Sequence, residues 1–236
     1  MIFQDPYAAL NPRLTIGQTL AEVLQVQRKV APERIAARVE ELLTLVGLRP
    51  ELAGRKPSSL SGGQCQRVGI ARALAVEPRL IVADECVAAL DVSIQGQIVN
   101  LLLELRQRLN LSILFIAHDL AIVRRLCDRV AVMYLGRIVE ERTRQSLFAE
   151  PGHPYTRALL DSVLTPDPRL GIPDIGLHGT FPNPMSPPSG CAFHPRCPSC
   201  FAPCKTAYPA NDSIIGGSVR CHLHDSPAQT LELVPS

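Results

Sequence analysis

Two carboxylates close a short apolar run, Leu80-Ile81-Val82-Ala83-Asp84-Glu85. Such a run reads as a buried parallel strand, and α/β folds place ligands beyond the carboxyl ends of these strands. There Asp84 can hold a divalent cation directly or through water, and Glu85 can orient or deprotonate an attacking water. Asp91 follows six positions later, and a second apolar run over 112–117 ends at His118. Upstream, Ser61-Gly62-Gly63-Gln64 opens a helix whose free N–H groups and positive dipole end suit a phosphate. Each feature alone has an ordinary structural reading: a solvated strand end, a Ser cap followed by flexible glycines, a structural histidine. Their ordered succession in one chain argues for phosphoryl chemistry instead.

A second group of residues suits a metal. Cys191, Cys197, Cys204 and Cys221 crowd the last fifth of the chain with Cys200 among them, whereas Cys65, Cys86 and Cys127 are scattered. In a reducing compartment, thiols gathered in this way bind metal rather than pair as disulfides. Cys197/Cys200 and Cys200/Cys204 have the short spacings that structural zinc favours, so zinc is one reading and unligated thiols are another.

Around these groups the hydrophobic pattern alternates between helix and strand periods. A helix is predicted over 15–27 with Thr15 as its cap, and another begins at Pro32. The second buries Ile35, Val39, Leu42, Leu43 and Val46 and stops near Gly47. Helices over 64–77, 93–109 and 119–127, strands over 80–83 and 112–117, and a hairpin around Gly136 complete a β-α-β-α order. That order implies an α/β fold with a mostly parallel sheet. Proline becomes dense from about residue 151, where one helix over 154–164 precedes a proline-rich linker and the cysteine tail. The expected division is 1–145 and 146–236.

Composition narrows the function class. With 46% hydrophobic and 19% charged residues, the chain is not of the disordered type. Its net charge of +2 points to no nucleic-acid partner, and the scarcity of lysine (Lys29, Lys56 and Lys205) makes the positive charge an arginine bias. No apolar run approaches the roughly 18 residues that cross a bilayer, and the first residues lack a signal-peptide pattern. The expected place is the cytosol, with any membrane association made through partners.

Taken in order, Leu60-Ser61-Gly62-Gly63-Gln64, the strand ending in Asp84-Glu85, Leu90-Asp91 and His118 resemble the signature motif, Walker B, D-loop and switch histidine of ABC ATPases. Phe3-Gln4-Asp5-Pro6 with Asn11-Pro12 and Thr15-Ile16 resembles the Q-loop of the oligopeptide, dipeptide and nickel import branch. Gly152-His153-Pro154-Tyr155-Thr156 matches the start of that branch's C-terminal extension. The resemblance implies the C-terminal part of a P-loop nucleotide-binding domain, a helical signature subdomain and a small cysteine-rich extension. It implies that Glu85 is the catalytic base, that Asp84 and Gln4 serve Mg2+, and that His118 contacts the γ-phosphate of ATP. Ser61, Gly62, Gly63 and Gln64 would contact ATP held by a facing subunit, and Asp91 would cross that interface.

The partners implied are a second ATPase subunit (identical or different), transmembrane permease subunits and, indirectly, a periplasmic or lipoprotein substrate-binding protein. The implied place is the cytoplasmic face of the inner membrane. Cys191-Ala192-Phe193-His194-Pro195-Arg196-Cys197, with Cys204 and Cys221, resembles a motif that in some of these ATPases is associated with a 4Fe–4S cluster.

The sequence departs from the family at three points. No Gly-Lys pair occurs, so the phosphate-binding loop is not among these residues; the resemblance places it upstream of Gln4. Without it and its strands, an exposed sheet edge and poor stability are expected. Cys65 stands where a polar or basic residue is usual, and Cys86 replaces a proline after Glu85, which predicts a looser backbone there. A catalytically dead cassette that supplies only its signature face to a partner, and an inert remnant, are the alternative readings. A DNA-repair ATPase is disfavoured, because the 57 positions between Gln4 and Ser61 hold no heptad run.

Overall fold

The computed structural model of the chain describes residues 1–27, 30–162 and 181–225. It divides into two compact units, Met1–Ile122 and Val123–Ser236.

The first unit contains a helical layer and a parallel sheet. Helix α1 (Ile16–Gln27) starts where Thr15 Oγ1 accepts from the Gln18 amide and Gln18 Oε1 accepts from the Thr15 amide. That reciprocal pair satisfies two of the amides that every helix start leaves open. Helix α2 (Ile35–Leu45) buries the predicted face of Ile35, Val39, Leu42 and Leu43, and Gly47 beyond it adopts φ +70°, a conformation glycine takes without strain. Helix α3 runs over Gly62–Leu74, two residues earlier than its pattern predicts, because Ser61 and Gln64 form the capping box.

Strand β1 (Leu80–Asp84) pairs in parallel with β2 (Ser112–Ile116), joined by α4 (Val92–Leu109), and the register sets Asp84 opposite Ile116. Ile2 flanks β1 on its other side: its amide donates to Val82 O (2.8 Å) and its carbonyl accepts from the Asp84 amide (3.0 Å). The β-α-β unit was legible in the sequence, and the structure adds that α4 ends at Asn110 in the αL conformation (φ 50°). Leu80, Leu114 and Ile116 are exposed on the sheet. Helix α5 (Leu120–Leu126) follows.

The second unit is built on an antiparallel sheet. The hairpin predicted around Gly136 is β3 (Arg129–Tyr134) and β4 (Arg137–Thr143), turned by Leu135 (φ 44°) and Gly136 (φ 77°). Two successive positive φ angles are those of the type I′ turn that fits strand twist. Helices α6 (Arg144–Ala149), α7 (Pro154–Asp161) and α8 (Ala202–Thr206) come next. A second hairpin, β5 (Asp212–Ile214) and β6 (Gly217–Val219), then adds to β4, giving the order β3-β4-β6-β5. A Cβ on Gly217 would lie 1.9 Å from the Glu141 carbonyl, so only glycine allows β6 to close on β4. The end of the predicted 154–164 helix and most of the proline-rich linker lie outside the described residues.

Candidate functional site

The first cluster sits at the carboxyl end of the parallel sheet. Because Ile2 is bridged to Ala83, Gln4 emerges one strand period later, and its Nε2 donates to Glu85 Oε2 at 2.7 Å. His118, just past β2, places Nδ1 3.5 Å from Glu85 Oε1. Glu85 itself adopts φ +44° while its amide donates to Ile116 O (2.9 Å). A left-handed backbone at a non-glycine residue is costly, and here it lifts the carboxylate off the sheet at the point where Gln4 and His118 reach it. Asp84, half-buried, is the last residue of β1 and directly precedes Glu85.

Four of the residues singled out from sequence thus share one strand end. Asp84 carries the kind of hard oxygen that Mg2+ takes, and Glu85 is a carboxylate that two neighbours can orient.

The signature residues form a second group. Ser61 Oγ accepts from the Gln64 amide (3.3 Å), and Gln64 Oε1 accepts from the Ser61 amide (2.9 Å). With those groups spent on each other, the amides of Gly62 and Gly63 are what the N-terminus of α3 presents outward. Both glycines also pack on the start of α4: a Cβ at Gly62 would meet Leu90 Cδ2 at 3.4 Å, and one at Gly63 would meet Ile94 Cγ2 at 2.7 Å. Asp91 occupies the N-cap position of α4 without a side-chain cap bond and is exposed. Gln95 Nε2 donates to Val87 O and Leu90 O (3.1 and 3.0 Å), which fixes the loop between Glu85 and Asp91.

Two residues escaped sequence reasoning. Gln66, 1% exposed, donates from Nε2 to Phe3 O (3.4 Å) and hydrogen-bonds the Cys86 thiol, tying α3 to the segment that carries Gln4 and to the residue after Glu85. Tyr7 donates from its hydroxyl to Leu60 O (3.0 Å) and so holds the start of the signature turn. A fully buried glutamine on a helix shows itself only through its tertiary partners. Cys65 and Cys86 are both buried, and burial pushes their thiols up, to about 11 and about 12, so neither is a nucleophile.

The third group belongs to the second unit. Cys191, Cys197, Cys204 and Cys221 line one small pocket with His153 and Phe193, and all four are free thiols; Cys200 is not among the lining residues. Burial raises the thiols of Cys191, Cys197 and Cys221, the last to about 12, and the neighbouring thiols add to the effect. Backbone hydrogen bonds from Phe193, Ser199 and Leu223 act the other way, by favouring thiolates at Cys191, Cys197 and Cys221. Among the described residues no three His, Cys, Asp or Glu side chains stand close enough to hold one metal ion. The expected metal site, for an iron–sulfur cluster or zinc, is therefore not prebuilt among the described residues, although four thiols share one pocket.

His153 enters that pocket through a specific local device. Glu140, fully buried, accepts from the amides of Gly152 (2.8 Å) and His153 (2.9 Å). His153 then caps α7, its Nδ1 accepting from the Tyr155 amide (3.0 Å), while Pro154 takes the first helical position. Tyr155 packs on Tyr134 and Phe193, with ring centroids 4.7 and 5.4 Å away. The ring of His153 is 1% exposed, and burial, with His224 nearby, depresses it to about 4, so it is uncharged at neutral pH.

Comparison with known proteins adds to this geometry. A family described as ABC transporter matches residues 1–88, and one described as oligopeptide/dipeptide transporter, C-terminal region, matches residues 139–204. A probable peptide ABC transporter ATP-binding protein of Sinorhizobium fredii is 49% identical over 237 residues, covering 100% of this chain and 67% of its own length. The oligopeptide transport ATP-binding protein OppF of Escherichia coli is 50% identical over 224 residues, covering 94% of this chain and 67% of its own length.

Among solved structures, cbiO1 of Clostridium perfringens, part of the ABC transporter complex cbiONQ, aligns with a TM-score of 0.57 at 34% identity, over 63% of this chain and 58% of that one. A dimeric ATP-binding cassette in a post-hydrolysis state with ADP and phosphate aligns with a TM-score of 0.53 at 32% identity, over 61% of each chain. The chain spans about two thirds of the length of these curated relatives and about three fifths of the solved structures.

Proposed function

The chain belongs to the ABC transporter ATP-binding proteins of the peptide-import branch, and on that premise we propose that it hydrolyses ATP to drive peptide import. The observation that carries the reading is the convergence of Gln4 and His118 on Glu85, beside Asp84, at one strand end.

In this reading water attacks the γ-phosphate in line. Glu85 orients that water and takes its proton, Asp84 holds Mg2+, and His118 contacts the γ-phosphate. Mg2+ supplies charge neutralisation on the phosphates when bound. Gln4 occupies one Glu85 oxygen in the present arrangement, so its loop must turn the amide away before water is activated. Coupling hydrolysis to a membrane partner through that loop follows naturally. The amides of Gly62 and Gly63 and the exposed Asp91 face an ATP and a cassette supplied by a second ATPase subunit. These 236 residues contain no Gly-Lys pair, and the grip on the chain's own ATP is assigned to none of them.

The remaining partners of this reading are permease subunits at the cytoplasmic face of the inner membrane and, beyond them, a substrate-binding protein. Among the described residues no helix is long and apolar enough to cross a membrane.

The test pairs the chain with an intact cassette of the same branch and measures phosphate release. Loss of activity on Glu85→Gln assigns hydrolysis to this chain's own site. Activity that survives Glu85→Gln but is abolished by Ser61→Arg assigns the alternative, a signature face working in trans. Indifference to both substitutions overturns the two readings together.

A second reading concerns the cysteine pocket, and the sharing of that pocket by Cys191, Cys197, Cys204 and Cys221 favours it. These thiols would hold a 4Fe–4S cluster, or zinc in its place, as a centre that staples the extension. Anaerobic supply of iron and sulfide, with zinc as the competing metal, reads the occupant directly. A chain that retains neither overturns the metal reading.

A further inference from the structure

One polar atom in the cysteine pocket has no use inside the protein. Of the pocket's histidines, His222 engages both ring nitrogens, with Asp225 Oδ2 (2.7 Å) and Ala207 O (3.0 Å), and His194 Nδ1 lies 3.0 Å from Cys191 O. His153 differs. Its Nδ1 accepts from the Tyr155 amide, which requires a lone pair there and places the ring proton on Nε2. That Nε2–H is buried without any acceptor, on a residue that borders the pocket with the four thiols. A buried donor left without a partner costs about 1–3 kcal/mol, so it points to an acceptor the chain itself does not supply.

We infer that His153 Nε2–H donates a hydrogen bond to a thiolate sulfur of the metal centre held by Cys191, Cys197, Cys204 and Cys221. This rests on the metal reading above. His153 is a positioning and tuning residue and does not ligate the metal. A donor to an anionic sulfur stabilises the more negative state of the centre, which raises a cluster's reduction potential and tightens thiolate–zinc binding. The assignment gives the Gly152-His153-Pro154-Tyr155 segment two separable duties at one side chain: Nδ1 starts α7, and Nε2 serves the pocket.

Two substitutions in the full chain separate those duties. His153→Asn keeps an acceptor at the Nδ1 position for the Tyr155 amide and removes the pocket donor. His153→Gln carries an amide N–H out to the Nε2 position and removes the cap.

After anaerobic loading with iron and sulfide, both variants are expected to take up the wild-type amount of iron. The ratio of reduced to oxidised centre at a fixed potential should fall about tenfold in His153→Asn, equivalent to about 59 mV for one electron. In His153→Gln it should stay at the wild-type value although thermal stability drops. If the wild type retains zinc instead, His153→Asn should lose it to a chelator at about tenfold lower chelator concentration, and His153→Gln should not. Equal potentials, or equal zinc retention, in wild type and His153→Asn overturn the inference while leaving the metal reading intact. A wild-type chain that holds neither iron nor zinc overturns both.

Discussion

Glu140 and Glu141 are adjacent on one strand, yet removing their charges should have very different consequences. Glu140 has a fully buried side chain: it accepts from the amides of Gly152 and His153 at 2.8 and 2.9 Å and lies 3.6 Å from Arg142 Nη1, on a guanidinium only 4% exposed. Arg142 in turn donates to Glu150 O and Ile215 O. Glu140→Gln keeps the shape but places an NH2 donor against one of two N–H donors and leaves Arg142 without a countercharge. Hydrogen bonds to a charged group are each worth about 1.5–3 kcal/mol, and breaking a buried pair costs about 3–5 kcal/mol. These terms overlap, so the expected loss is about 3–5 kcal/mol rather than their sum.

Glu141 pairs with Arg129 at 2.9 Å, but both side chains are about half exposed, and Glu141→Gln should cost under about 1 kcal/mol. Urea unfolding followed by tyrosine fluorescence suits the comparison, because the chain has no tryptophan and Tyr134, Tyr155 and Tyr208 all lie in the second unit. A Glu140→Gln loss below about 1 kcal/mol, or equal losses for the two variants, would refute the argument that Glu140 anchors the extension.

Three further outcomes follow from the geometry. Glu85→Gln should retain ATP binding in a paired cassette while lowering phosphate release by about 10²–10⁴, the usual worth of a positioned acid–base group; an unchanged rate removes Glu85 from the chemistry. Acid should loosen the second unit through His153, whose folded value of about 4 lies below its ordinary 6.5. Between those values the unfolded chain binds the extra proton, so stability present above pH 6.5 is lost as pH falls towards 4, by about 3 kcal/mol in all. Urea midpoints of wild type and His153→Asn across that window check it, since the difference between their pH slopes isolates this one ring. Gly63→Ala should cost about 1–3 kcal/mol, because its Cβ would sit 2.7 Å from Ile94 Cγ2, and Ile94→Ala should recover most of the loss in calorimetry.

Where the chemistry rests on short-range pattern, the sequence disclosed it. Asp84 and Glu85 are legible because a wholly apolar run ends on them, and Thr15 and Ser61 because caps have local signatures. Helix α3 shows the limit of that reading: its predicted span over 64–77 starts late, because the glycines of the signature turn already belong to the helix, and ends late, because Glu77 adopts φ 50°. Glu140 was not legible at all. Arg137-Ile138-Val139-Glu140-Glu141-Arg142 reads as a solvated charged strand, and only the arrival of Gly152 and β6 turns one of its glutamates into a buried anchor. The β5–β6 hairpin was missed for a related reason. Its three-residue strands carry no period, and what fixes them is backbone proximity at Gly217.

The two units solve the same problem by the same physical means. A functional side chain on a loop needs its backbone fixed within one or two residues, or thermal motion spreads its reach over several ångströms. In the first unit Ile2 is clamped by hydrogen bonds to Val82 and Asp84, and Gln4, two residues on, meets Glu85. A slip of one residue in that pairing would send the Gln4 side chain to the other face of the sheet. In the second unit Glu140 clamps the amides of Gly152 and His153, and the His153 ring itself meets the thiol pocket. The anchors differ in cost. A main-chain ladder bond is inexpensive and tolerant of sequence, whereas a buried carboxylate is stable only while its two amides and Arg142 are all in place. The order of the extension is therefore tied to one side chain, and the disposition of the Q-loop to a backbone register.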